Sequence, residues 1–390
     1  MLINKTNNTP TLGVFVSNKY FKKLYQEQIL PWKAAELIEA NKQAKLILFL
    51  FASKSIDYRN KRILGIYYDV NKNLWVKKIF AYPDLIYRMG KSGKKQFKDK
   101  NIIPLNYQVG FNKYKVYEKL LKIESMRQYL PLSVIYKSSR DLKKMLELHN
   151  TVYLKGCEGG RGKQVIRLKQ LGEERYEYSR FNNEMYLVKV DGFNKLISEI
   201  KGFFQNKEFL IQQAIDLLTI DNKIIDLRAE VQKNGNGELT VAGISVRVGH
   251  KNHPITTHAN SYPFKAFFQN TLKYSEARFK ELESRLQKLL FTAYKSIEKA
   301  YGPTAEIGID VGLDKKGRLW FIECNSCSKK VSFYNTTERD AIVKSYLNIL
   351  EYAKYLYNKS PVKNKRPKTL VYQPHQSYLL DSGMLGVFRK

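Results

Sequence analysis

Residues 306–325 read Glu-Ile-Gly-Ile-Asp-Val-Gly-Leu-Asp-Lys-Lys-Gly-Arg-Leu-Trp-Phe-Ile-Glu-Cys-Asn, two apolar runs parted by Asp314-Lys-Lys-Gly317. The polar, glycine-ended centre is a turn, so the runs on either side are expected to pair as an antiparallel hairpin. Side chains alternate across a strand. Ile307, Ile309, Val311 and Leu313 therefore share one face, suited to a core, while the acids point the other way. With Leu313 opposite Arg318, Asp310 faces Phe321 and Gly308 faces Glu323. Asp310 and Glu323 then become diagonal neighbours roughly 7–8 Å apart, and Asn325 shares the face of Glu323. Two carboxylates and an amide oxygen converging on one point suit a hard divalent cation that keeps waters and phosphates as its other ligands. The plainer alternative is solvated acids on an ordinary hairpin. Register separates the two, because a one-residue slip destroys the convergence.

Other segments set the surroundings. Residues 12–17 and 46–51 are short apolar runs that read as buried strands, with helical spacing from Trp32 to Asn41 between them. Strand-like pieces follow at Ile63–Tyr68 and Leu74–Ile79, and Tyr82–Arg88 closes an N-terminal α/β region. A helical stretch runs from Tyr114 to Gln128, and Pro131 punctuates it. A short helix spans Ser139–Leu148, with Ser138 or Ser139 as its cap. Strands are expected at Thr151–Lys155, 164–168 and 209–215. Two longer ones at Lys223–Gln232 and Leu239–Val248 flank the hairpin turn Asn234-Gly-Asn-Gly237. Phe279, Leu282, Leu286, Leu289, Leu290, Ala293 and Ile297 form a helix stripe that Gly302-Pro303 ends, and a last helix covers about Glu338–Tyr357.

Two further clusters carry chemistry. Tyr153-Leu-Lys-Gly-Cys-Glu-Gly-Gly-Arg-Gly-Lys163 is glycine-rich, so its backbone can approach a ligand and turn several N–H groups toward an anion. Lys155 ends the strand before it, where an ammonium could meet phosphates. Lys163 is followed by Gln164, so this is not a P-loop; a flexible surface turn is the alternative. In Asp226-Leu-Arg-Ala-Glu230 the charged residues alternate with apolar ones and share a strand face, and Arg247 can reach it from the neighbouring strand. Arginines there suit phosphate oxygens and developing charge; cross-strand ion pairs are the alternative.

At 390 residues the chain fits two or three lobes. No apolar run approaches a membrane span, and the first residues lack the apolar centre of a secretory signal. Cys157, Cys324 and Cys327 form no paired framework, which favours a reducing cytoplasm. Lys plus Arg number 68 against 36 Asp plus Glu, a net charge of +32. That balance either reflects a composition rich in Lys, Asn, Tyr and Ile or attracts an anionic partner.

In this order, the glycine-rich turn, the arginine strands and the Asp310-to-Glu323-x-Asn325 step resemble the ATP-grasp superfamily, and most of all its spore-coat-associated YheC/YheD branch. The similarity runs from Leu12 to Leu356 and includes Tyr82-Pro-Asp-Leu-Ile-Tyr-Arg88 and Glu351-Tyr-Ala-Lys-Tyr-Leu356. It implies an α/β N-terminal pre-ATP-grasp domain (1–115), a central α+β lobe with the phosphate loop (116–210), a C-terminal α+β lobe with the metal site (211–358) and a basic extension (359–390). It further implies ATP held with Mg²⁺, Mn²⁺ being an alternative, by Asp310, Glu323 and Asn325. Lys115, Lys155 and the loop Gly159, Gly160, Arg161 and Gly162 would meet phosphates. Gln212, Gln213, Ala214 and Ile215 would form the adenine hinge, and Arg228 and Arg247 would serve catalysis. The expected activity is a carboxylate–amine ligase working through an acyl-phosphate, acting in the cytoplasm or, in a spore-forming cell, the spore coat. Its partners would be ATP, a carboxylate and an amine, one of them an acidic peptide or polymer; nucleic acid is less favoured and no membrane is expected. The rivals are a small-molecule kinase of the same fold and a structural, polyanion-binding coat protein. Three departures fall near the site: Gly156 in place of proline, Ser326-Cys-Ser-Lys after the metal motif, and Asn260-Ser-Tyr-Pro263 in place of a Gly-Gly pair.

Overall fold

The computed structural model describes residues 9–89, 99–160, 164–182, 184–205, 207–251, 256, 259–326 and 328–360, which form three sheets with helices packed on them. In the N-terminal sheet the Thr11–Phe15 strand lies between Ile47–Phe51 and Leu85–Arg88, parallel to both. Parallel neighbours need a crossover, and the helices Asn18–Glu27 and Trp32–Ala44 supply it. The first of these, which the sequence pattern does not announce, is capped by Ser17, whose hydroxyl accepts from the Tyr20 N–H. Strands Arg62–Asp69 and Leu74–Ala81 pair as a hairpin on one side of the sheet.

The middle sheet is antiparallel throughout, in the order Glu184–Asp191, Arg175–Asn182, Val165–Gly172, Thr151–Gly156, Phe209–Gln213, Ser133–Ile135. The strands Arg175–Asn182, Glu184–Asp191 and Ser133–Ile135 and the helix Phe193–Phe204 were not expected from the sequence. Tyr176 and Tyr178 bury one strand face while Arg175 and Glu177 remain on the other, so the pattern holds few aliphatic residues.

The third sheet runs Asn260–Pro263, Leu239–Val248, Lys223–Lys233, Glu306–Leu313, Leu319–Asn325. The helix Glu276–Tyr301 covers its apolar face with the expected stripe, and Ile307, Ile309 and Val311 are fully buried beneath it. Each such aliphatic side chain contributes about 1.5–3 kcal/mol by leaving water. The stretch expected as one helix from Tyr114 is two, Lys113–Leu121 and Glu124–Arg127, because Ile123 is extended. Val116, Leu120 and Met126 from these helices pack into the third sheet's core. The last helix, Arg339–Lys359, packs Tyr346, Ile349 and Leu350 with Leu12, Val14 and Leu37, so the two ends of the described chain share one core.

The 306–325 hairpin forms, but in a different register from the one expected. Leu313 lies opposite Leu319 rather than Arg318, because the turn holds three residues between Asp314 and Arg318. Gly317 takes φ +78°, and the Asp314 carboxylate accepts from the N–H groups of Lys316 and Arg318. This one-residue slip would turn the acids to opposite faces. A bulge between Asp310 and Val311 inserts Ile322 and moves the pairing one residue further in the same direction, which returns the acids to one face. Asp310 therefore sits directly opposite Glu323, not diagonal to it, and Gly308 faces Asn325.

Candidate active site

The polar face of the third sheet assembles from three adjacent strands. Arg228 lies opposite Asp310 on one side, and Arg247 lies opposite Asp226 on the other. Asp310 bridges both guanidiniums, with Oδ1 2.7 Å from Arg228 Nη1 and Oδ2 3.2 Å from Arg247 Nη2. Asp226 grips Arg247 through two hydrogen bonds, 2.7 Å from Nε and 2.6 Å from Nη2, and accepts a third from Thr256 at 2.6 Å. Glu230 Oε1 accepts from Arg228 Nε at 3.0 Å. Burial would push the Asp310 carboxyl up, but Arg247 and Arg228 outweigh it and hold it below the ordinary carboxylate range. Gly308 leaves room for this arrangement: a Cβ at that position would overlap Arg228 Nη2.

Beside the arginines, Glu323 carries the open end of the acid pair. Lys113 Nζ lies 3.7 Å from its Oε2, and the Asn325 amide is 3.4 Å from its Oε1. The helix lysine in the site is thus Lys113, not Lys115. Asn112 caps the helix by accepting from the Lys115 N–H, which places Lys113 on the same face as Val116, Tyr117 and Leu120; the Lys115 side chain is exposed. That i, i+3, i+4, i+7 spacing was available in the sequence, but the helix start was read one residue late.

A cleft opens next to Glu323, walled by Phe111, Tyr117, Leu210 and Phe321, with Lys113, Lys155 and Gln212 as its polar groups. Lys155 Nζ donates to Gln212 Oε1 at 2.6 Å, and Gln212 donates to Ser133 Oγ at 2.9 Å. Burial pulls the Lys155 ammonium down to about 8, against the pull of Glu323. Gln213 turns away, its side chain accepting from the Leu132 N–H. Ala214 and Ile215 lead out of the strand, the Ala214 N–H bonding Thr151 O and Ile215 O accepting from Leu217. Gly159, at φ +108°, offers its carbonyl to Lys113 Nζ at 3.4 Å, and Gly160 is exposed. Arg161 and Gly162 lie outside the described residues, as do Cys327 and the basic tail from 361.

Two of the departures have local causes. The Gly156 N–H donates to Gln164 O at 2.9 Å, a bond proline cannot make. Ser328, to which no sequence motif assigns a role, accepts from Arg228 Nη2 at 3.0 Å and donates to Glu230 Oε1 at 2.6 Å. Burial pushes the Cys157 thiol up to about 11 and the Cys324 thiol well above the usual range.

Asp226, Glu230, Asp310 and Glu323 stand against Lys113, Lys155, Arg228 and Arg247, four charges of each sign. A polyphosphate entering so balanced a site needs extra positive charge. Asp310, Glu323 and Asn325 form an all-oxygen donor set that fits a hard divalent ion. Among the described residues there is no cluster of three or more His, Cys, Asp or Glu that could hold a metal.

The model of the family described as YheC/D like ATP-grasp matches residues 101–356. This chain belongs to the YheC/D-like ATP-grasp family. The endospore coat-associated protein YheD of Bacillus subtilis (strain 168) is 25% identical over 340 residues, covering 84% of this chain and 74% of YheD. YheC of the same organism is 22% identical over 361 residues, covering 86% of this chain and 95% of YheC. The fold is also that of the VanG D-Ala:D-Ser ligase from Enterococcus faecalis, with a TM-score of 0.51 at 14% identity over 90% of this chain and 99% of that one. As an ATP-grasp protein the chain is structurally similar to ATP-dependent ligases. Among the described residues, no helix is long and apolar enough to cross a membrane.

Proposed function

We propose that this YheC/D-like ATP-grasp protein is a carboxylate–amine ligase that works through an acyl-phosphate. The observation that carries the reading is the arginine pair, fixed by Asp226, Glu230 and Asp310 beside Glu323 and Asn325. ATP would lay its adenine between the apolar walls of the cleft, against Gln212–Ile215, and its phosphates toward Lys113, Lys155 and the glycine turn. Asp310, Glu323 and Asn325 would hold Mg²⁺, which when bound neutralises phosphate charge. A substrate carboxylate oxygen attacks the γ-phosphorus and ADP departs. Arg228 and Arg247 hold the transferring phosphoryl group and then the acyl-phosphate. The amine attacks the acyl carbon, phosphate leaves with the carboxylate oxygen, and the amine's proton goes to solvent. Catalysis is positioning and charge stabilisation, and no protein nucleophile takes part.

An acid substrate labelled with ¹⁸O in its carboxylate tests this: one label should appear in the released phosphate, and only when an amine is present. Phosphorylated acid accumulating without an amide product would favour a kinase. Release of unlabelled phosphate would remove the acyl-phosphate. The names of YheD and YheC support a second reading, a coat-associated role in a spore-forming cell, and the two are compatible if the ligase modifies coat material.

A further inference from the structure

Lys330 is a buried lysine that takes no part in the proposed chemistry. It follows the strand Leu319–Asn325 and opens the short helix Val331–Thr336. Its φ is +54°, a left-handed backbone that is uncommon for a residue carrying a side chain. The ammonium lies 2.8 Å from Glu306 Oε2, donates to Ser345 Oγ at 3.0 Å and stands 4.7 Å from the centre of the Tyr346 ring. Tyr87 donates to the other oxygen of Glu306 at 2.7 Å. The third sheet, the last helix and the N-terminal sheet thus each contribute a side chain around one ion pair.

The backbone of the same lysine reaches the arginine site. The Lys330 N–H donates to Ser328 Oγ at 3.1 Å. That hydroxyl also accepts from Arg228 Nη2 and donates to Glu230 Oε1. One hydroxyl has one hydrogen and two lone pairs, so all three are in use and Ser328 keeps a single orientation. The near end of the segment is pinned as well. Ser326 Oγ accepts from the Gly110 N–H at 2.7 Å, and the Ser326 carbonyl accepts from the Asn106 amide. An apolar side chain at 330 would fit several places in a core. A buried ammonium has one, beside its carboxylate, so the pair fixes where the segment lies.

We propose that Lys330 is a positioning residue for Arg228: its ammonium, locked on Glu306, fixes the segment whose Ser328 hydroxyl holds the guanidinium. The use of that position in catalysis rests on the ligase reading, and the positioning itself does not.

Solvent exchange of the Arg228 Nε–H, followed by ¹⁵N NMR on the full chain, tests it; the signal is assigned by its loss in Arg228→Lys. Lys330→Met alone would strand the Glu306 charge in the core, so it is combined with Glu306→Gln, which keeps an acceptor for Tyr87. The amides of Leu227 and Ala229, on either side of Arg228, report general opening of the strand. Relative to them, Lys330→Met/Glu306→Gln should speed the Arg228 exchange by about tenfold or more, as expected for loss of a hydrogen bond to a charged group. Ser328→Ala should act similarly. The triple variant should be no faster than Ser328→Ala, because the lysine acts through that hydroxyl. No acceleration beyond the two amides, or additive acceleration in the triple variant, overturns the proposal. With turnover in hand, the double variant should lower kcat at unchanged KM for ATP. Faster Arg228 exchange with unchanged kcat would remove Arg228 from the ligase reading and leave its positioning by Lys330 standing.

Discussion

Arg228 is held by three side chains and one missing Cβ, and each gives a residue-scale expectation. Ser328→Ala removes a hydroxyl that joins Arg228 to Glu230 and leaves charged groups short of a partner, which should cost about 1–3 kcal/mol of stability in a denaturant titration. Gly308→Ala should leave the chain folded but displace the Arg228 guanidinium, and turnover should fall by about 10²–10³ while nucleotide affinity changes little. Turnover equal to wild type would show that Arg228 does not need its present position. Lys155 gives a pH-dependent expectation. Its folded value of about 8 lies below the ordinary 10.5, so the folded chain disfavours its charge. That contribution to stability is least favourable below pH 8 and recovers as pH rises toward 10.5. Phosphate binding needs the charged form, so affinity for ATP should decline as pH rises above 8, and Lys155→Arg should flatten the decline. A wild-type affinity that is level from pH 7 to pH 9.5 would remove Lys155 from the phosphate contacts.

At the level of elements, the alternating Ile307, Ile309, Val311 and Leu313 made the hairpin and its buried face legible. The pairing of Asp310 with Glu323 was not, because it depends on two one-residue shifts in the same direction, the three-residue turn and the Ile322 bulge. Composition hides both; only the tertiary fit of strand to strand decides them. Lys113 was hidden by one residue of helix boundary, and Ser328 by a loop that carries no periodicity. Strand Arg175–Asn182 escaped because its dry face is lined by Tyr176 and Tyr178 rather than by a run of aliphatic residues. The bulge makes a prediction of its own. Deleting Ile322 should swing Glu323 and Asn325 away from Asp310, so Mg²⁺-dependent nucleotide binding should vanish even in the fraction that retains a cooperative thermal transition. Binding that survives the deletion would show that the bulge does not set the site.

Across the whole molecule, the cleft draws on the helix at Lys113, the middle sheet through Lys155 and Gln212, and the third sheet through Phe321 and Glu323. The N-terminal sheet joins through Tyr87, which donates to Glu306 at 2.7 Å, and through Lys33. A ligand that bridges two sheets stabilises the folded chain by mass action, about 2.7 kcal/mol at a hundredfold excess over Kd. The central claim is that Asp310, Glu323 and Asn325 bind nucleotide through a divalent ion. Titration calorimetry with a non-hydrolysable ATP analogue, comparing wild type with Glu323→Gln in Mg²⁺ and again in EDTA, tests it most directly. The account predicts that the variant binds at least about tenfold more weakly in Mg²⁺, a loss of roughly 1.4 kcal/mol, and that the difference disappears in EDTA. Equal affinity of the two proteins in Mg²⁺ would contradict it.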